Sequence, residues 1–201
     1  MSKNYEERRR YKCGDWEYLL DDDDHTAWIS KGHTGKQKVY ALPTVLNVDG
    51  EPYVIESVEL FAYAENRYIE ELIVPDCYIF VDSDAFSHCK NLKRVYMGKG
   101  IETYPYWSFP CCPLEELTID PQNPYIKLSD DGCMVLTKDG KRLFYCLYDK
   151  EGIVVPQTVK VIGTCAISCN TRLKKLTIPK SAMLELDAIF ECDNLKTIIS
   201  I

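Results

Sequence analysis

The sequence predicts a mainly β fold, a solenoid of stacked coils of about 22 residues with short parallel strands, an N-terminal β-hairpin cap and an inserted β-meander. Three observations carry this. Five segments share one apolar pattern: Ile69-Glu-Glu-Leu72-Ile-Val74-Pro75, Leu92-Lys-Arg-Val95-Tyr-Met97-Gly98, Leu114-Glu-Glu-Leu117-Thr-Ile119-Asp120, Leu173-Lys-Lys-Leu176-Thr-Ile178-Pro179 and Leu195-Lys-Thr-Ile198-Ile199. Their starts differ by 23, 22, 59 and 22 residues. A second set of columns keeps the same step, and the composition leaves room for a core: 201 residues, 46% hydrophobic and 27% charged.

In the second set, Ala62, Ala85, Ala166 and Ala188 stand seven residues before Ile69, Leu92, Leu173 and Leu195, and Ser108 stands one residue closer to Leu114. Each small residue is followed by a bulky one: Tyr63, Phe86, Phe109, Ile167 and Ile189. Four residues before each come Val58, Val81, Tyr104, Ile162 and Leu184. Such columns stack on their counterparts one turn away, because a single coil cannot bury its own apolar edge but neighbours can. The small residue marks an inward turn of the backbone, and the residue after it fills the space between coils. Pro43, Pro75, Pro156 and Pro179 remove a donor and end each strand at one place, leaving strands of three or four residues.

Cysteine recurs at Cys89, Cys111/Cys112, Cys169 and Cys192, where a compact apolar side chain suits a stacked column. Ten cysteines without a Cys-x-x-Cys pair, and three scattered histidines, match no zinc-ligand spacing, so no metal site is expected. Reduced thiols, and a charged N-terminus followed by no apolar h-region, point to a cytoplasmic protein. Loss of an upstream signal would instead make it secreted or surface-bound.

The 59-residue interval holds the insertion: Cys133–Thr137, a turn at Lys138-Asp139-Gly140, Lys141–Leu147, a turn through Asp149 to Gly152, then Ile153–Pro156, which reads as a β-meander. The N-terminal region repeats that order with Trp16–Leu20, Thr26–Ile29 and Val39–Pro43, and covers the first coil. Asp49-Gly50, between two alternating runs, predicts a two-residue hairpin. The organisation expected is one continuous domain: a hairpin cap over residues 1–68 merging into the first repeat, then repeats over 69–201 with the insertion at about 121–156. Ile198-Ile-Ser-Ile201 carries no polar cover, an association hazard that predicts a homo-oligomer through this coil.

The search for chemistry returns little. Gly32-His33-Thr34-Gly35-Lys36 lacks the frame of a phosphate loop. Asp21 to Asp24 lacks calcium-loop spacing and reads as a solvated acidic turn. No nucleophile elbow, zinc-helix or dinucleotide motif occurs, so neither catalytic residues nor a cofactor is expected, and the chain is not read as an enzyme. A net charge of −7 disfavours wrapping of nucleic acid, and no apolar stretch reaches the roughly 18 residues of a membrane span.

The columns resemble those of the BspA-type leucine-rich repeat family, whose unit reads roughly L-x-x-L-x-I-P followed by I-x-x-x-A-F-x-x-C. Ala85-Phe86-Ser-His-Cys89 before Leu92 reproduces that core run, and the likeness extends from about residue 39 to the end. The insertion is similar to the Asp-Gly-bounded hydrophobic island found between repeats of this family. The resemblance implies a curved right-handed solenoid with a strand ladder on its concave side, and binding rather than catalysis. It also implies kinship with secreted or surface proteins that attach to host molecules.

The expected function is therefore a non-catalytic protein-binding scaffold. A secreted or surface adhesin or glycan-binding protein, and a small intracellular inhibitor or immunity factor, are the alternatives. The outward strand positions Glu71 and Ile73, Arg94 and Tyr96, Glu116 and Thr118, and Lys175 and Thr177 line up as one ribbon and form the candidate partner surface. Arg94 and Tyr96 lead, because Arg and Tyr are the residue types that most often carry binding energy. Tyr106 and Trp107 form a second candidate face, since sister coils place Ser83-Asp84 and Thr164-Cys165 there; Leu60-Phe61 is the similar pair one coil earlier. The partner is another protein, with no nucleic acid and no membrane insertion.

Overall fold

A computed structural model describes residues 7–104, 109, 112–147 and 149–201. The chain is mainly β, with no α-helix among the described residues. It divides into two compact units, Met1–Asn123 and Pro124–Ile201.

The first unit begins with three antiparallel strands, β1 (Arg9–Cys13), β2 (Trp16–Asp21) and β3 (Thr26–Lys31). The repeat sheet starts at β4 (Val39–Ala41), and a hairpin of β5 (Val45–Val48) and β6 (Glu51–Val58) follows. Asp49 and Gly50 turn that hairpin with φ of 53° and 92°, the left-handed pair that a two-residue turn between twisted strands demands. Next come β7 (Glu71–Val74), β8 (Phe80–Val81), β9 (Arg94–Met97) and β10 (Glu116–Ile119). Strands β4, β7, β9 and β10 pair in parallel, so Tyr40, Leu72, Val95 and Leu117 share one register. Strands β3, β6 and β8 form a second parallel ladder, placing Val58 opposite both Ile29 and Val81. Between the ladders Tyr63 stacks on Phe86 at 5.0 Å between ring centroids, and Phe86 on Phe109 at 5.7 Å, as the bulky column predicts. Gly32 is required by the same column, because a Cβ there would lie 2.1 Å from the Tyr63 ring.

The second unit opens with β11 (Ile126–Leu128), β12 (Met134–Thr137) and β13 (Arg142–Cys146), all antiparallel. It continues with β14 (Gly152–Val154), β15 (Val161–Ile162), β16 (Ile167–Ser168), β17 (Lys175–Ile178), β18 (Met183–Leu184), β19 (Ile189–Phe190) and β20 (Thr197–Ser200). Three parallel ladders result, β14-β17-β20, β13-β15-β18 and β16-β19, around a core of Leu136, Leu143, Ile153, Ile162, Leu173 and Leu176. Arg142 grips Glu185 with two hydrogen bonds of 2.8 and 2.6 Å across two coils of this stack.

Four readings of the sequence need correction. The third strand of the expected meander, β14, does not join β13: β15 takes that edge, and β14 becomes the first rung of the repeat ladder through Ile153 on Leu176. Strands β1 and β11 were not expected. Asp21 is buried rather than solvated; its Oδ1 accepts the N–H groups of Asp23 and Asp24, and the exposed Asp22 meets Arg9 and Tyr53 instead. Cys169 is not a column residue. It is exposed, and the column runs through Asn170, so Asn66, Cys89, Cys112, Asn170 and Cys192 are equivalent.

That offset follows from the coil corners. Phe61, Asp84, Cys165 and Asp187, each just before the small residue, have φ between 52° and 59°. Glu65, His88, Cys169 and Glu191, three residues after it, have φ between 49° and 60°. Each such coil is bent by two left-handed residues, whose side chains, Cys165 excepted, face out while the next residue turns in.

Two outcomes follow from this packing. Leu176→Ala should lower the unfolding free energy by about 2–5 kcal/mol in urea titrations, whereas Ile198→Ala, in the same column but 54% exposed, should cost less than about 1 kcal/mol; equal losses would contradict the stacking. Glu59, half-buried beside Asp82, has its carboxyl pushed up to about 7, by burial first and Asp82 second, with Arg8 opposing. Folded Glu59 stays protonated where the unfolded chain ionises, so its contribution is complete below about pH 4.5 and is lost as pH rises through 7. Glu59→Gln should stabilise the protein at pH 8 by on the order of 1–3 kcal/mol and leave it unchanged at pH 4, read by thermal melts across pH.

Candidate functional site

The outward strand positions do not form one ribbon: they fall in two separate sheets, β4-β7-β9-β10 in the first unit and β14-β17-β20 in the second. In the first unit the parallel register sets Glu71, Arg94 and Glu116 in one row and Ile73, Tyr96 and Thr118 in the next. Arg94 Nε reaches Glu71 Oε2 at 3.0 Å, and Thr118 Oγ1 donates to Glu116 Oε1 at 3.4 Å. Tyr96 is half-buried, and its hydroxyl donates to Asp120 Oδ2 at 2.7 Å, which holds the phenol above its ordinary pKa. One position earlier, Lys38 meets Glu70 and Lys93 meets Glu115, both at 2.7 Å. Lys38 holds the Glu70 carboxyl below its usual range. Signs alternate from coil to coil in both rows, so this surface neutralises itself and presents a pattern rather than a net charge.

In the second unit the equivalent rows are Gly152, Lys175 and Thr197, and Val154, Thr177 and Ile199. Lys175 is exposed. Thr177, expected outside, is buried to 8% exposure between its register neighbours Val154 and Ile199. Sequence reasoning missed Val39 and Val154, the outward residues of the first rungs, at 54% and 65% exposed. The spacing could have found them, since Val154 stands two residues before Pro156 as Ile73 and Thr177 do before Pro75 and Pro179, and Val39 stands four before Pro43 as Glu71 does before Pro75.

Tyr106 and Trp107 lie outside the described residues. Their neighbours in sequence analysis, Leu60 and Phe61, do not: Phe61 is 58% exposed and sits at φ 59°. A bulky aromatic at a left-handed corner is strained, and sister coils place Asp84 and Asp187 there, a residue type that tolerates this conformation. Exposure and strain together mark Phe61 as a residue that packing does not explain.

Among the described residues no group of three or more His, Cys, Asp or Glu could hold a metal ion. Cys133 accepts a hydrogen bond from Lys150 Nζ, with the Asp131 carboxylate 3.6 Å from that nitrogen. The cavity beside them holds about 30 Å³, room for one water and no substrate. His88 is exposed and Cys89 fully buried, so the adjacent pair does not converge. No helix among the described residues is long and apolar enough to cross a membrane.

Comparison with known proteins adds the family. The sequence matches the BspA type leucine rich repeat region in six copies, over residues 52–130 and 135–200. No curated protein matches significantly. A leucine-rich repeat protein from Bacteroides ovatus has a similar structure, with 16% identity and a TM-score of 0.60, covering 94% of this chain and 52% of its own. The leucine-rich repeat protein of T. pallidum (18% identity, 94% and 71% covered, TM-score 0.47) and a leucine-rich cell surface protein of Faecalibacterium prausnitzii (15%, 95% and 76%, 0.38) are further matches. With its repeats in register and its family pattern running through most of its length, the chain belongs to the BspA-type leucine-rich repeat family.

Proposed function

We propose that this chain is a protein-binding scaffold, and that the first unit supplies the contact through the ribbon around Arg94 and Tyr96 with Phe61 as an apolar anchor. The observation that carries the reading is Phe61, exposed and strained where two sister coils use Asp84 and Asp187 and a third a buried cysteine, Cys165. The ribbon supports it in a second way. Arg94 and Glu71 are paired at 3.0 Å, and the strand register sets the charged residues in rows, so a partner meets an ordered pattern of charge. A basic or an acidic target gains no long-range attraction from such an alternating strip, so recognition here rests on matching the pattern at contact range.

The tagged chain, incubated with native lysate, should capture a partner that Arg94→Ala/Tyr96→Ala and Phe61→Asn each weaken at least tenfold. Phe61→Asn should retain or gain thermal stability, because asparagine accepts the left-handed corner. Undiminished capture by both variants removes both surfaces, and a destabilised Phe61→Asn removes the strain argument.

A second reading concerns self-association. Leu184 and Ile198 are exposed in the final coil, whereas their register partners Ile162 and Leu176 are fully buried, and Leu186 beside them is 80% exposed. The occupant we propose is a second copy of the same coil, because the face offers strand edges at the coil's own spacing. Sedimentation velocity at tens of micromolar should show a dimer that Leu186→Glu/Ile198→Glu converts to monomer. A monomeric parent chain ends this reading.

A further inference from the structure

The column running through Asn66, Cys89 and Cys112 sets two cysteines in consecutive coils of the first unit. Cys89 donates its thiol to the Tyr63 carbonyl at 3.4 Å, and Cys112 donates to the Phe86 carbonyl at 3.1 Å. Tyr63 and Phe86 are stacked neighbours, so the two thiols hold the same place one coil apart. The backbone agrees: Cys89 bonds to the backbone of Asn66, and Cys112 to that of Cys89. The two side chains also interact with one another.

The strands these coils feed, β9 and β10, are paired neighbours, and hydrogen-bonded chains lie about 4.8 Å apart, inside the roughly 4.4–6.8 Å that a disulfide spans between Cα atoms. A bridge between cysteines stacked on these coils therefore asks mainly for rotation of two side chains. Access is graded: Cys89 is fully buried and Cys112 half-buried, so a small reagent reaches Cys112 first.

We propose that Cys89 and Cys112 are a two-cysteine oxidation site for low-molecular-weight disulfides, closing into a bond between consecutive coils. The Cys112 thiolate attacks the external disulfide and releases one small thiol, leaving a mixed disulfide on Cys112. Cys89 then attacks the Cys112 sulfur, forming the Cys89–Cys112 bond and releasing the second small thiol. Two S–H bonds and the external S–S bond break, one protein S–S bond forms, and two electrons and two protons leave with the reagent. The coils joined carry β9 and β10, so the bond clamps the ribbon steps that present Arg94, Tyr96, Glu116 and Thr118.

The test incubates the whole chain with oxidised glutathione, blocks remaining thiols with iodoacetamide in denaturant, and maps tryptic peptides without reduction. The peptide of Cys89 should appear joined to that of Cys112, while the exposed Cys13 and Cys169 take up glutathione. The oxidised chain should melt about 5–10 °C higher, reversibly with dithiothreitol. Cys112→Ser and Cys89→Ala should each lose both the cross-link and the gain, and Cys111→Ser should keep both. Recovery of Cys89 alkylated while Cys112 carries glutathione, or a cross-link through Cys111, would overturn the proposal. A bridge that leaves the melting temperature unchanged would also count against it, since the coils would not then have been joined in their native register.

Discussion

Parallel register between successive coils is the constraint on which the rest of this protein depends. A coil of about 22 residues with a four-residue strand has too little inner surface to bury its own leucines. Leu72 and Leu176 are fully buried only because a neighbouring strand lies alongside at the same register. Because side chains alternate across a strand, a slip of one residue would bring every outward residue inside. Glu71, Arg94 and Glu116 would then enter the core in place of Leu72, Val95 and Leu117, so the charged ribbon and the apolar columns enforce one another. The same lock that makes the core makes the surface pattern periodic.

The inner columns do different jobs, and the difference decides what each can tolerate. Apart from Tyr40 on the first rung, the strand column holds Leu, Val or Ile and is governed by volume. The bulky column is aromatic in the first unit, at Tyr63, Phe86 and Phe109, and aliphatic in the second, at Ile167 and Ile189, where a short third ladder forms instead. The column of Asn66, Cys89, Cys112, Asn170 and Cys192 is polar, and its role is hydrogen bonding at a place where the backbone leaves regular pairing. Three of its cysteines donate to the carbonyl of a residue in the coil before: Cys89 to Tyr63, Cys112 to Phe86 and Cys192 to Ile167. Asn66 does the comparable work within its own coil, accepting the N–H groups of Tyr68 and Ile69. Thiol and amide are interchangeable here because both can satisfy a buried backbone group.

Much of the fold was legible because repetition multiplies a weak signal. One Leu-x-x-Leu proves nothing, but five in step with an alanine column define the coil, and the positions named for the ladders are the ones that pair. What escaped reading lies where local chemistry does not announce its partner. Arg9–Cys13 is a charged strand supported by antiparallel pairing with β2, so it carries no apolar alternation. Asp21 looked like one more acid in a run of four, yet it caps the turn from beneath. Cys169 looked like the column residue because cysteine recurs nearby, whereas the left-handed corner before the column pushes it out and draws Asn170 in. Of the candidate surface, Arg94 is exposed and paired with Glu71, Tyr96 is half-buried with its hydroxyl engaged by Asp120, and Thr177 is buried.

The corners are where this architecture leaves freedom to carry a function. Strand, bulky and polar columns are each bound to a neighbour on either side, so their residues answer to packing. A corner residue answers to φ, which aspartate meets at Asp84 and Asp187 at little cost, and all but the buried Cys165 face outward. Phenylalanine at the same corner meets neither requirement: it adds backbone strain and exposes a ring to water. No stacking argument compensates for that, since Phe61 is not in the aromatic ladder, whose member in this coil is Tyr63. The residue is therefore explained by something outside the coil's own packing.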